Sequence, residues 1–263
     1  MLEGRVAVVV GGATGIGAAT ARLLATEGAR IVVAAPGSQA AASDEVCAAI
    51  TAAGGNAAAV ACDVTDRTGV HAMFSDVVER FGGVDIVVNS AGVFFPTPAF
   101  DPDAQQVESL VLVNLLGGIN VVHGALKVMR PRGGAIVTVT STQASLAEPG
   151  CAVYAATKAA MAHFTASLAP ELKHSGIRVN CVAPGAVRTP MTAALHAASD
   201  PGMRALLDRL NKHCGGPYGE FFLEPEHIAS IVLFLVSDGS RGLQATSIVA
   251  DQGHTSALVG LEM

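Results

Sequence analysis

Paired cysteines are missing from this chain. Its five cysteines, Cys47, Cys62, Cys151, Cys181 and Cys214, are odd in number, scattered, and never spaced as CxxC. That pattern argues against a disulfide framework and for reduced thiols in a cytoplasmic protein. The eight histidines are dispersed without ligand spacing, so no metal centre is expected. Positive charge is also short: Lys and Arg number 16 against 22 Asp and Glu, for a net charge of −6. No basic run offers the footprint of a nucleic-acid binder. No uninterrupted apolar stretch approaches the ~20 residues of a membrane span, so no membrane partner is expected. The start, Met1-Leu2-Glu3-Gly4-Arg5, enters a short apolar run at once, without the layout of a signal peptide. There is no internal repeat, low-complexity tract or interdomain linker.

What the chain has is apolar material, 51% of 263 residues, with only 14% charged. Short apolar runs alternate with helical patterns from end to end. Strands are expected at Arg5–Val10, Arg30–Ala35, Ala57–Cys62, Val84–Asn89, Ala135–Thr140, Ile177–Val182 and Ala245–Ala250. Helices are expected after the first strand to about Glu27, then at Asp44–Ala53, Gly69–Phe81, Gln105–Met129, Ala152–His174 and Glu226–Ser237. Continuously apolar strands separated by helices mean a parallel sheet covered on both faces. The expected fold is α/β: a Rossmann-type doubly wound parallel sheet of about seven strands, forming one domain over residues 1–263. Its ligand site should lie at the carboxyl ends of the strands. The long irregular stretch 186–225, with a helical piece around 201–212, reads as a lid.

Tyrosine and lysine are scarce, at two and four residues, yet Tyr154 and Lys158 stand four apart in a helical pattern. Positions i and i+4 share a helix face. A neighbouring cation lowers a phenol's pKa of about 10 by ~1–3 units, which would make Tyr154 a usable general acid/base. A second signal, Gly11-Gly12-Ala13-Thr14-Gly15-Ile16-Gly17, follows a strand and opens a helix. Glycines there allow a tight turn and bring backbone N–H groups toward a pyrophosphate at the helix N-terminus.

Gly11-x3-Gly15-Ile16-Gly17 together with Tyr154-x3-Lys158 resembles the short-chain dehydrogenase/reductase family, over essentially the whole chain. The resemblance implies a hydride-transferring enzyme that uses NAD or NADP on a secondary alcohol or ketone, and a homotetramer. It implies catalytic roles for Asn114, Ser141, Tyr154 and Lys158. Tyr154 would transfer the proton, Lys158 lower its pKa and bind ribose hydroxyls, Ser141 bond the substrate oxygen, and Asn114 hold a water. Cofactor contacts would come from Gly11, Thr14, Gly15, Ile16 and Gly17. Asp63 and Val64 would contact the adenine ring, and Asn89, Ala91 and Gly92 the turn after the fourth strand. Pro184, Gly185, Val187 and Thr189 would cover the nicotinamide, and Ala35 marks the adenosine ribose end.

Three departures from the family pattern matter. Val10 and Ser90 replace a threonine and an asparagine, so a repacked contact is expected between the first turn and the fourth strand. Gln252 replaces a glycine in the last turn. At Ala35 there is no acid to bond the ribose of NAD, and Thr14, Pro36 and Gly37 offer no cation for a 2′-phosphate. The balance leans to NAD over NADP. The lid carries Met191, Leu195, Met203, Leu206, Leu207, Leu210, Phe221 and Phe222, which suggests a small-molecule substrate with hydrophobic bulk or simply buries the lid's own helix. His196, His213, His254 and Cys151 are candidate substrate neighbours. Two alternatives remain: a 3-oxoacyl thioester reductase whose Arg130 and Arg132 meet an acyl carrier protein, and a catalytically silent cofactor-binding regulator.

Overall fold

Seven apolar runs become seven parallel strands. The computed structural model describes residues 1–129, 133–196 and 216–256, with 204, 205, 208, 211 and 212 between the last two spans. The strands are β1 (Val6–Val10), β2 (Arg30–Ala35), β3 (Asn56–Ala61), β4 (Ile86–Asn89), β5 (Gly134–Val139), β6 (Ile177–Pro184) and β7 (Ser247–Ala250). They form one sheet in the order β3-β2-β1-β4-β5-β6-β7. Side chains alternate across it. Val9, Val33, Val88 and Val137 enter one core, while Val8, Val32, Val87 and Ile136 enter the other. Both faces are therefore apolar, as a parallel sheet between helical layers requires.

On the first face pack α1 (Gly15–Thr26), α2 (Ala40–Ala52) and the late helix α8 (Pro225–Val236), through residues such as Leu24, Ile50 and Val232. The second core holds Phe74 of α3 (Arg67–Phe81), Val121 of α5 (Gly118–Met129) and Leu168 of α6 (Ala152–Leu168). The chain reverses its walk across the sheet between β1 and β4, and that reversal opens a crevice at the strands' carboxyl ends.

Several element ends differ from expectation. The helix opening at Ala152 stops at Leu168 rather than His174. Pro170 explains this, since its ring and missing N–H oppose a helix running through it. The expected helix at 105–129 begins with α4 (Ala104–Leu110), capped by Asp103, whose carboxylate accepts from Gln105 N and Gln106 N at 2.8 and 3.0 Å. A π-helical segment, Val111–Gly117, joins α4 to α5. The whole helix, Ala104–Met129, is long and apolar enough to cross a membrane by length and composition, although none of its apolar runs is uninterrupted over that length. Glu108 and Lys127 interrupt it, and Val121, Val122, Ala125 and Met129 are buried on it.

Of the segment 186–225, the structure describes a turn at Pro190–Thr192, the short α7 (Ala193–His196) and the stretch from 216 onward. The expected helical piece at 201–212 falls for the most part outside the described residues, and Met203, Leu206, Leu207 and Leu210 with it. Arg130, Arg132 and His213 lie outside them too, as does the side chain of His196.

Candidate active site

A cavity of about 370 Å³ opens along the carboxyl ends of the strands. Its floor is built by close backbone approach. Gly11 has φ +75°, and a Cβ there would stand 2.6 Å from Ala91 N. A Cβ on Gly17 would stand 2.1 Å from the Gly11 carbonyl oxygen, so only glycine lets α1 start this near the turn. A Cβ on Gly15 would stand 3.0 Å from the Thr189 methyl, which brings the 185–192 segment over the glycine-rich turn. At the departure Val10/Ser90 the contact is made by backbone: Ser90 N donates to the Val10 carbonyl at 2.8 Å, and Val10 packs into the second core.

Gly11, Thr14, Gly15 and Ile16 line the cavity. So do Ala35, Asp63, Val64, Ala91 and Gly92, and on the far wall Pro184, Gly185, Val187 and Thr189. Two expected contacts do not line it. Gly17 is buried beneath the turn, and Asn89 points into the second core, where its Oδ1 is buried without a partner. Pro36 and Gln39 join Ala35 at the ribose end, and Met191 and Thr192 close the other end. Sequence reasoning passed over Val93, Val113, Val139 and Thr140, which also line the cavity; each stands within two positions of a motif residue, Gly92, Asn114 or Ser141.

Ser141, Tyr154 and Lys158 enter this same cavity. Tyr154 and Lys158 share a face of α6, with the Lys158 Nζ 5.5 Å from the phenol ring centre. Ser141, two residues beyond β5, lines the cavity with the phenol and draws its pKa down, and Phe94 stands edge-on to that ring at 5.1 Å. The expected lowering of the phenol's pKa is not what the structure gives. Burial pushes Tyr154 up to about 12, against a downward pull from Ser141; Cys151 and Glu148 raise it further. The Lys158 ammonium is itself buried and brought down from 10.5 to about 8 by desolvation. Its Nζ donates to the Val139 carbonyl at 3.1 Å.

Asn114 does not line the cavity. It sits in the π segment, 3% exposed, with Oδ1 accepting from Val93 N at 2.8 Å and Nδ2 donating to Val93 O at 2.9 Å. The side chain thereby clamps the strand-like segment after β4, next to Lys158: a Cβ on Gly92 would stand 3.3 Å from Asn114 Oδ1 and 3.4 Å from Lys158 Nζ.

Other expected neighbours sit elsewhere. Cys151 is buried at the start of α6 and is not part of the cavity lining. His254 stacks edge-on against Phe221, and Phe222 is buried under the Arg188 guanidinium, so these rings pack the base of the lid rather than the cavity. Among the described residues of the expected apolar lid set, Met191 reaches the cavity, while Leu195 is exposed. Gln252 adopts φ 57° where a glycine was expected, and its side chain donates to the Glu220 carbonyl at 2.8 Å. No group of three or more potential metal ligands occurs among the described residues.

Comparison with known proteins agrees with this geometry. The family described as enoyl-(acyl carrier protein) reductase matches residues 11–255. Cis-4-hydroxycyclohexanecarboxylate dehydrogenase of Sinomonas cyclohexanicum is 37% identical over 254 residues, spanning 96% of this chain and 97% of the relative. A short-chain type dehydrogenase/reductase from Mycobacterium marinum superposes with a TM-score of 0.88 at 30% identity, covering 97% of both chains. An actinorhodin polyketide ketoreductase variant solved with NADPH gives a TM-score of 0.88 at 31% identity, covering 96% of this chain and 98% of the other.

Proposed function

The chain belongs to the short-chain dehydrogenase/reductase family, an oxidoreductase of the CH–OH/C=O pair that works with a nicotinamide cofactor, and within that activity we propose Tyr154 as the general acid/base. One observation carries the reading: the buried phenol, its Ser141 partner and the Lys158 ammonium open into the cavity that the glycine-rich turn floors. The turn suits a dinucleotide because added Cβ atoms at Gly11 and Gly17 would collide with backbone, leaving peptide groups rather than side chains to face the ligand.

When bound, the cofactor supplies or accepts the hydride. In the reducing direction Tyr154 gives its proton to the substrate oxygen, and in the oxidising direction it takes the hydroxyl proton. Ser141 hydrogen-bonds the same oxygen and stabilises charge developing on it. A phenol pushed up to about 12 is a reluctant base, so charge on the Lys158 ammonium is what favours phenolate when the proton leaves. Lys158 also offers its donors to ribose hydroxyls. Asn114 acts one step back, holding Val93 and Gly92 against Lys158.

At the ribose end Ala35, Pro36 and Gln39 present neither carboxylate nor cation. Lys158 is the sole cation lining the cavity among the described residues, so a 2′-phosphate finds no charge-assisted partner there. This favours NAD over NADP. The substrate is a small alcohol or ketone with hydrophobic bulk, supported by Met191, Val93 and Val187 in the cavity lining. A 3-oxoacyl-(acyl carrier protein) reductase of Thermotoga maritima, 33% identical over 253 residues, favours a second reading, reduction of the 3-oxo group of an acyl thioester. Following NADH and NADPH absorbance against cyclic ketones and acyl thioesters separates the two; thioester turnover alone would displace the first.

We further propose one domain with 186–225 as its lid, a reduced cytoplasmic setting for the free thiols of Cys47, Cys62, Cys151 and Cys181, and a homotetramer. Leu112 and Leu116, 38% and 46% exposed on the long helix, support the assembly.

A further inference from the structure

The segment that leaves β4 is fastened at both ends. Val93 is bracketed by Asn114, whose Oδ1 accepts from Val93 N at 2.8 Å and whose Nδ2 donates to Val93 O at 2.9 Å. Thr97, 3% exposed, is tied to the start of α6. Its N donates to the Gly150 carbonyl at 2.7 Å, and its Oγ1 accepts from Val153 N at 3.3 Å. Between the two anchors Pro96 fixes a further backbone angle. Phe94 therefore rides on a short strap, one end of which is bonded to the residue directly before Tyr154.

The strap brings Phe94 onto the phenol. The two rings stand with centres 5.1 Å apart and planes at 84°. Aromatic pairs favour this arrangement, in which the edge of one ring meets the π face of the other. A phenol so packed cannot tilt without breaking the contact. Phe94 does not line the cavity, so what it does for the reaction it does through Tyr154. Proton transfer needs donor and acceptor within hydrogen-bond reach, about 2.6–3.2 Å, and a swinging ring loses that geometry. We propose that Phe94 is a positioning residue for proton transfer: the strap holds its ring against Tyr154 and keeps the phenol hydroxyl aimed into the cavity beside Ser141. The proposal rests on the reading of Tyr154 as the general acid/base.

The chain has two tyrosines and no tryptophan, so ring motion can be read without turnover. Tyr218 is 87% exposed, and Tyr218→Phe leaves Tyr154 as the single phenol. In that parent the decay of tyrosine fluorescence anisotropy follows the Tyr154 ring on the nanosecond scale. The parent should show tumbling of the whole protein alone, and Phe94→Leu should add a fast component. In cyclohexanone reduction Phe94→Leu should lower kcat and kcat/KM together by about tenfold to a hundredfold, the scale of a small misplacement, with KM and cofactor affinity within about twofold of the parent. Phe94→Tyr, made for the rate measurement, keeps the ring and should restore turnover. Phe94→Met, bulky but ringless, runs beside the leucine variant and carries the same expectations should that variant not fold. A rate within about twofold of the parent overturns the proposal, as does a ring that stays rigid. So does a loss that Phe94→Tyr leaves in place, or one matched by falls in cofactor affinity and melting temperature. Tyr154→Phe keeps the two readings apart. Turnover retained there sinks Tyr154 as the acid/base, while anisotropy still decides whether Phe94 holds the ring; turnover lost there but kept in Phe94→Leu sinks the positioning role alone.

Discussion

The Lys158 ammonium lies 5.5 Å from the centre of the Tyr154 ring and 3.1 Å from the Val139 carbonyl that it donates to. The cation is thus anchored to the end of β5, and α6 carries the phenol past it. Both groups lose solvation in this position. The phenol is pushed up to about 12 and the ammonium down to about 8, so burial moves each toward its neutral form, while at neutral pH the lysine keeps its charge. Catalysis uses the coupling of the two, and folding bears the cost of burying them.

That cost is measurable. A lysine whose folded pKa lies below its unfolded value binds fewer protons folded than unfolded, so its contribution to stability rises with pH from about 8 towards 10.5. Between pH 7 and pH 9 the wild type should gain about 1.4 kcal/mol relative to Lys158→Met, one pKa unit's worth. Urea denaturation of both proteins at the two pH values reads this difference. A constant difference would show that Lys158 is not desolvated as the structure has it. Lys158→Ala should also lose turnover and weaken cofactor binding together.

The floor of the cavity tolerates no side chain. Gly17→Ala would drive a methyl group against the Gly11 carbonyl, at 2.1 Å before relaxation. Overpacking of this kind costs ~1–3 kcal/mol. The melting temperature should fall and cofactor titration should weaken; Gly37→Ala, where a Cβ meets nothing within 4 Å, should change stability little by comparison.

Cofactor choice should respond to Ala35, which ends β2, and to Pro36, which follows it. Ala35→Asp should sharpen preference for NAD, since a carboxylate accepts ribose hydroxyl bonds and repels a 2′-phosphate. Pro36→Arg should move preference toward NADP by a charge-assisted pair of ~1.5–3 kcal/mol, about tenfold to a hundredfold in affinity. Titration of each variant with both cofactors decides it. Ratios that stay within about twofold would place the ribose elsewhere.

The proposed tetramer has its own check. Light scattering at micromolar concentration should return four chains, and Leu112→Glu with Leu116→Glu should shift the mass downward. A monomer mass for the unaltered protein would remove the assembly.

The sheet was legible in the sequence because each strand is a short apolar run between turn signals, and strand ends such as Arg30–Ala35 coincide with the structure. The end of α6 was marked by Pro170 but was expected too late, because the helical pattern runs on through residues 171–174. The π segment at Val111–Gly117 could not be read, because a π turn leaves the apolar periodicity of the long helix nearly unchanged. In the site, the glycine spacing and the i, i+4 pair were visible as spacings. The rise of the Tyr154 pKa was not, since it comes from burial that several distant elements create together. The clamp of Asn114 on Val93 joins residues 21 apart and depends on where the turn after β4 lands.

The most direct test of the account is Tyr154→Phe, assayed for ketone reduction and for cofactor binding by fluorescence titration. The substitution removes the ionisable hydroxyl and keeps the ring that packs against Phe94. The account predicts turnover below a few per cent of wild type, a loss of about 2 kcal/mol or more in transition-state stabilisation, with cofactor affinity nearly unchanged. A variant that kept substantial turnover while binding cofactor normally would contradict the proton-transfer role assigned to Tyr154.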